Sequence, residues 1–443
     1  MNKDKVIRTL SELVSIESVS TDPNKKGEII KAVNFLKNEL EKLHFEVKLI
    51  AADSFPPLLV AYKLQDPKAK TIGIYGHYDV QPEDPVNEWN FKPFSLSSKN
   101  GKFYGRGVAD NKGHIVQNLT ALSTLASNNN LKNNIVFLIE GEEEMGSVHF
   151  EKYARLAKDI LSKVDVFYVT DMGMYKKDVP AIFYALRGIV FFELEIETGR
   201  KDLHSGIYGN LVFNPADVSS GLFSKIKDFQ TNKVLIPGFY DDVREIPIKE
   251  KQLLSLVKRT EDEEKKEAEV YGLAPVDSKY PSLSSKIYPS LDVNGIVAGY
   301  TGQGTKTIIP RKITIKFSCR LVEHQDPNNI VKLVGEYLKK NMPEGVKYNL
   351  KVFERAAPFY TDIDSFYIKQ AAEVLQLTFG GKTVFNRSGG SVPAAEVLQR
   401  LFKKPIILTG FILPDASIHA PDENFDSEMF WKGIEALIRI YST

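Results

Sequence analysis

This 443-residue chain predicts an α/β fold with a mostly parallel sheet, interrupted by a smaller α+β insert, and three observations predict it. In the first part of the chain, short apolar runs alternate with helical periodicity, the texture of βαβ units. After Arg187 that texture gives way to longer, strictly alternating strand patterns, and after Pro358 it returns. The layout is therefore a discontinuous domain of residues 1–186 and 355–443, its sheet covered by helices on both faces, around an insert of residues 187–354. Length agrees, because single cores stop growing at about 250–300 residues.

The N-terminal stretch Met1-Asn-Lys-Asp-Lys-Val-Ile-Arg-Thr-Leu mixes charges with an amphipathic pattern. It reads as a first helix, since a signal peptide needs an unbroken apolar core. Residues 71–75, 135–140 and 165–170 are β-rich runs. Within 111–127, Ile115, Leu119, Leu122 and Leu125 recur at helical spacing, so Asp110 stands just before a helix. In the insert, residues 189–197 and 312–321 alternate like half-exposed strands, 215–229 and 328–340 are helical, and 348–353 is strand-like. Residues 233–290 are charged, proline-containing and locally helical, an elaboration whose role the sequence leaves open. After Pro358 come a helix at 363–377, a glycine-rich turn at Ser388-Gly-Gly-Ser391, a helix at 393–400 and a strand at 405–411.

Charge excludes some partners. Lys and Arg number 58 against 57 Asp and Glu, a balance with no basic face for nucleic acid. No apolar run is long enough to span a membrane. Cys319 is the single cysteine, so there is no intrachain disulfide and no thiolate cluster, and any metal must be held by nitrogen and oxygen. A soluble cytoplasmic protein is expected.

Side chains of metal-ligand type gather at the carboxyl ends of the apolar runs, where open α/β sheets form their sites. His77 and Asp79 follow the first run, Glu142, Glu143 and Glu144 the second, and Asp171 the third. Asp110 precedes its helix and His419 lies in a loop after 405–411. Each has an ordinary reading: a polar turn, a solvated charge run, an N-cap, an exposed loop histidine. Five such coincidences on one sheet edge make those separate readings improbable together. Two imidazoles and several carboxylates suit two divalent ions, zinc favoured by imidazole, with manganese or cobalt tolerated by carboxylate. Such a pair acidifies a shared water and polarises a carbonyl. One unligated carboxylate is then needed as general base.

The chain resembles the M20 metallopeptidases over nearly its whole length. The resemblance is carried by Gly76-His-Tyr-Asp-Val-Gln-Pro82, Trp89 with Pro93-Phe94, Tyr104-Gly-Arg-Gly-Val-Ala-Asp-Asn-Lys-Gly113, Glu140-Gly-Glu-Glu-Glu-Met-Gly-Ser147, Asp171 and His419-Ala-Pro. Arg187-Gly188, Asp202-Leu-His-Ser-Gly206, Lys306-Thr-Ile-Ile-Pro-Arg311 and Ser318-Cys-Arg-Leu321 look most like the branch of cytosolic non-specific dipeptidases and carnosinases. The resemblance implies that His77, Asp110, Glu144, Asp171 and His419 hold two metal ions, with Asp110 bridging them. It implies Glu143 as general base, Asp79 as the support of His77, no role for Glu142, and a cis Asp110–Asn111 peptide. It makes the insert a lid and dimerisation domain. In a homodimer, His204 reaches the partner's active site to stabilise the oxyanion, while Arg320, Thr307 and Ser391 bind the substrate carboxylate. The expected activity is hydrolysis of dipeptides, or short peptides with a free C-terminal carboxylate. The alternative within the family is an N-acyl-amino-acid deacylase. A non-catalytic protein keeping the fold is disfavoured, because every expected ligand and the base are present. One departure stands out: the dipeptidase branch has a His-Gly-Gly segment after the insert, where this chain has Glu354-Arg-Ala-Ala-Pro358, and Arg355 is the candidate replacement contact.

Overall fold

The computed structural model describes residues 2–51, 56–279, 281–390 and 392–443. The chain forms two compact units, the first of Met1–Tyr184, Thr361–Asn386 and Val392–Thr443, the second of Ala185–Tyr360 and Arg387–Ser391. The change of period in the sequence puts the second boundary at 354/355. The unit instead runs on to Tyr360 because Phe359 and Tyr360 pair with Leu186 and Ala185. It takes in Arg387 because that side chain is ion-paired with Glu250 and Glu323.

In the first unit the sheet order is Glu46–Ile50, Leu58–Lys63, Asn134–Glu140, Thr71–His77, Val166–Thr170, Ile406–Thr409 and Ala181–Leu186. Its centre is parallel: Thr71–His77 lies between Asn134–Glu140 and Val166–Thr170, and Ile406–Thr409 continues beside the latter. Every residue of Thr71–His77, Asn134–Glu140 and Val166–Thr170 is buried, as a parallel sheet covered on both faces requires. The flanks are antiparallel. The sequence reading did not identify Glu46–Ile50, Leu58–Lys63 or Ala181–Leu186 as strands, and it ended the first strand at Tyr75, whereas His77 is its last residue and pairs with Glu140. That register aligns the strand ends, so residues 77, 141–144 and 171 emerge along one edge.

Helix Lys112–Ser127 packs against this sheet and against Lys3–Val14 and Ser427–Ser442. Its first half is buried nearly all round, polar residues Lys112, His114, Gln117 and Asn118 included, because it has neighbours on most sides. Gly113 permits its tight start: a Cβ there would lie 2.0 Å from the Val108 carbonyl oxygen. The Asp110–Asn111 peptide just before it is cis. A small antiparallel sheet joins Ser97–Lys99, Lys102–Tyr104 and Asn424–Asp426, which zips the C-terminal segment to the chain leading into Asp110.

The second unit is a four-stranded antiparallel sheet in the order Ser290–Ala298, Lys312–Leu321, Gly188–Glu197 and Lys347–Ala356. Alternation sends Val190, Phe192, Leu194 and Ile196, with Ile313, Ile315, Phe317 and Cys319, into a core closed by Leu222, Ile226, Ile330, Val334 and Leu338. These last five come from helices Pro215–Ile226 and Pro327–Asn341. The elaboration at 233–290 contributes helices Ile248–Ser255, Glu261–Glu267 and Ser284–Ile287. It also contributes half of a buried charge network. Arg387 Nη1 donates to Glu323 at 2.8 Å and Nη2 to Glu250 at 2.9 Å, while Arg244 donates to Glu250 at 2.6 Å and lies over the Tyr360 ring.

Candidate metal centre

Asp110 divides its carboxylate between two histidines. Oδ1 lies 2.9 Å from His77 Nε2, and Oδ2 lies 3.0 Å from His419 Nε2. Beside the first contact, Asp171 Oδ1 comes within 3.4 Å of His77 Nε2. Beside the second, Glu144 Oε2 comes within 3.2 Å of His419 Nε2. The ligand atoms of His77, Asp110 and Glu144 all lie within 4.8 Å of one another. The cluster thus has two halves, His77 with Asp171 and His419 with Glu144, and Asp110 is common to both.

Its electrostatics are those of a buried acid excess. Burial works to lower the pKa of His77, but Asp171, Asp110 and Asp79 reverse this and hold it well above the ordinary imidazole range. Hydrogen bonds to Asp110 and Glu144 push His419 up to about 10. Burial opposes ionisation of Asp110, yet the bonds from His419 and His77 hold its carboxyl well below the usual range. Asp171 and Glu143 go the other way: burial pushes Asp171 up to about 6 and Glu143 well above the carboxylate range, with neighbouring acids adding repulsion. Glu144 Oε1 is buried without a hydrogen bond. An orphaned carboxylate oxygen beside two imidazoles and further carboxylates, all hard or borderline donors, fits divalent cations.

The acid triplet separates into three environments. Glu142 is buried and accepts from the His149 amide at 3.1 Å, with His149 Nδ1 2.9 Å from its other oxygen. Glu143 and Glu144 open the 3₁₀ turn Glu143–Met145, which ends at Gly146 in a left-handed conformation. At three residues per turn, adjacent side chains diverge by about 120°, so neighbouring glutamates can take different roles.

Around Asp79, the expected support of His77, lie further supports that were not legible in the sequence. His77 Nδ1 faces the Asp79 main-chain carbonyl at 3.1 Å and Asp79 Oδ1 at 3.3 Å. Asp79 Oδ2 accepts from Ser20 Oγ at 2.7 Å and from the Glu144 amide at 3.1 Å, so Asp79 holds both a histidine and the glutamate turn. Gln81 donates to Glu144 Oε2 at 2.8 Å. Asn111 Nδ2 donates to Asp171 Oδ1 at 2.6 Å and to the Thr170 carbonyl at 2.8 Å. Asp79, two positions from His77, and Asn111, the neighbour of Asp110, had a local signal; Ser20 and Gln81 had none.

The remaining sequence-predicted residues belong to the second unit. His204 is exposed, and its Nδ1 accepts from the Gly206 amide at 3.0 Å. Leu203–His204 pairs with Ile308–Ile309, and the Ser205 amide donates to the Thr307 carbonyl at 3.1 Å, so His204 and Thr307 are neighbours. Arg320 pairs with Ile189 and Ser290 across the sheet. Arg187, buried, donates to Ser290 Oγ at 2.8 Å, and burial together with Arg320 pushes its pKa down to about 10. Arg355 donates to Asn328 Oδ1 at 2.9 Å. Ser391 lies outside the described residues.

Comparison with known proteins identifies the family. The model of a family described as peptidase family M20/M25/M40 matches residues 73–443. The Beta-Ala-His dipeptidase of Homo sapiens is 30% identical, over 98% of this chain and 88% of its own. The Cys-Gly metallodipeptidase DUG1 of Candida albicans is also 30% identical, over 98% of this chain and 93% of its own. Among solved structures, the M20 family metallo-carboxypeptidase Sso-CP2 from Sulfolobus solfataricus superposes with a TM-score of 0.88 at 31% identity, covering 100% of this chain and 99% of that one.

Proposed function

The chain belongs to peptidase family M20/M25/M40, and from that premise we propose that it hydrolyses dipeptides, or short peptides with a free C-terminal carboxylate, in a metal-dependent reaction. The observation that carries the reading is the pair of half-sites sharing Asp110, with His77 on one of its oxygens and Asp171 beside that imidazole, and His419 on the other with Glu144 beside it. Zinc is the metal best suited to two imidazoles. Two divalent cations bound there would polarise the scissile carbonyl and bring water to an ionisable state near neutral pH.

The chain's own residues do the rest. Glu143 takes the proton of the attacking water and returns it to the leaving amine, and a carboxyl raised by burial suits a group that must do both. Asp79 keeps the His77 ring in place, its carbonyl fixing which nitrogen carries the proton. Arg320 binds the substrate carboxylate in a bidentate fork, with Thr307 and Ser391 as further contacts. His204 of a second copy steadies the developing oxyanion, which makes the working form a homodimer and the second unit both lid and dimerisation domain. A single cysteine, buried and unpaired, fits the cytoplasm.

The likeness to a metallo-carboxypeptidase favours a second reading, release of the C-terminal residue from longer or N-blocked chains. One experiment separates the two. Protein stripped with a chelator is reloaded with zinc, manganese or cobalt and assayed on dipeptides, tripeptides, N-blocked dipeptides, and acetylated and succinylated amino acids. Dipeptides should be hydrolysed fastest; faster cleavage of tripeptides or N-blocked dipeptides would favour the carboxypeptidase reading, and faster cleavage of the acylated amino acids would replace both with a deacylase. Glu143→Gln should keep its metal and lose about 10²–10⁴ in turnover. Near-normal turnover in that variant would remove Glu143 as the base.

A further inference from the structure

Glu423 is fully buried four residues after His419, and its carboxylate gathers four donors from one short loop. Oε1 accepts from the amides of Ala109 at 2.9 Å and Asp110 at 3.0 Å. Oε2 accepts from the Gly107 amide at 2.9 Å and from Arg106 Nη1 at 2.8 Å. The stretch Gly105-Arg-Gly-Val-Ala-Asp110 wraps its amides round this anion as a nest does, and Gly107 allows the curl by taking a φ of 82°. The Glu423 carbonyl in turn accepts from the Gly105 amide at 3.1 Å. Beyond it, Asn424–Asp426 pairs with Lys102–Tyr104.

We propose that Glu423 is a positioning residue that sets both halves of the metal centre at once. It holds the backbone of Asp110, whose two oxygens serve the two halves, and it fixes the loop carrying His419 to the loop carrying Asp110. The four acceptor contacts call for an ionised carboxylate, and an amide in its place would turn N–H groups against N–H groups. A displaced Asp110 would weaken the two halves together, whereas loss of a ligand private to one half would weaken that half. The inference rests on the two-cation reading of the centre.

The test is zinc binding to the full chain, counted and ranked by competition with a coloured chelator, beside the thermal unfolding of each metal-free variant. Wild type should bind two equivalents; if it binds fewer, the two-cation reading fails, whatever Glu423 does. Glu423→Gln should weaken both equivalents by about tenfold or more, and His419→Ala one of them. Arg106→Met removes the charged partner but leaves all three amides on the carboxylate, so it should lower stability while keeping both equivalents. If Glu423→Gln does not fold, the double variant with Arg106→Met restores charge balance and should fold with both equivalents weakened. A folded Glu423→Gln, or the folded double variant, with two wild-type-strength equivalents would overturn the proposal. So would Arg106→Met losing both ions as severely, because Glu423 would then act through general packing.

Discussion

His114 sits in the first turn of the helix after Asp110, fully buried, its Nδ1 3.1 Å from the Ala109 carbonyl and its Nε2 accepting from the Phe411 amide at 3.0 Å. One nitrogen must donate and the other accept, so the folded protein needs the neutral ring. Burial pushes its pKa down to about 4 from 6.5. Between those values the unfolded chain binds a proton that the folded chain refuses. The stabilisation is therefore complete above pH 6.5 and is lost as the pH falls toward about 4, on the order of 3 kcal/mol. Metal-free wild type should lose unfolding midpoint over this window more steeply than His114→Gln, measured by thermal melts at half-unit steps of pH. Parallel profiles would mean that His114 titrates alike in both states. At this scale the sequence was legible where residue type was unusual for its place: His77 and Asp171 stand at run ends, Asp110 just before a helix and His419 in a loop after a run. Ser20, Gln81 and Glu423 were not, because a serine, a glutamine or a loop glutamate is ordinary in solvent and becomes informative only once buried against a partner.

The elements were legible in proportion to their periodicity. Helices Lys112–Ser127, Pro215–Ile226, Pro327–Asn341 and Phe366–Phe379 begin and end within about three residues of where spacing put them, the scatter expected at frayed ends. The antiparallel flanking strands escaped notice because Leu58–Lys63 and Ala181–Leu186 are short apolar runs without clean alternation. The elaboration at 233–290 gave least away, since a charged segment reads as solvated surface. Its Glu250 and Arg244 instead join Glu323 and Arg387 in a network of two cations and two anions. Removing one member strands the others without water. Arg387→Met should cost about 3–5 kcal/mol, read as a lower midpoint for the second unit and faster hydrogen exchange across Ile248–Ser255. An unchanged midpoint would show that Arg244 alone satisfies both glutamates.

For the whole molecule, the proposed ligands in the first unit come from five segments far apart in the chain, at residues 77, 110, 144, 171 and 419. An ion that gathers them binds the folded state and not the unfolded one. At a free zinc concentration a hundredfold above the dissociation constant, one such site adds about 2.7 kcal/mol. Zinc should accordingly raise the unfolding transition of the first unit, a chelator should reverse the rise, and Asp110→Ala should abolish it, all followed by calorimetry. A transition indifferent to zinc would contradict a metal centre there.

The sequence by itself determined the class of fold, through a change of period from βα units to strictly alternating strands and back, and it determined the chemistry available, through histidines and acids near the ends of buried strands. Both are properties of neighbours along the chain. Only the tertiary structure decided which oxygen faces which imidazole, that Glu142 pairs with His149 while Glu144 meets His419, and that Glu423 holds Asp110. Those contacts depend on strand register and on loops brought together from opposite ends of the chain, and a local pattern carries no record of the distance between residues that meet only on folding.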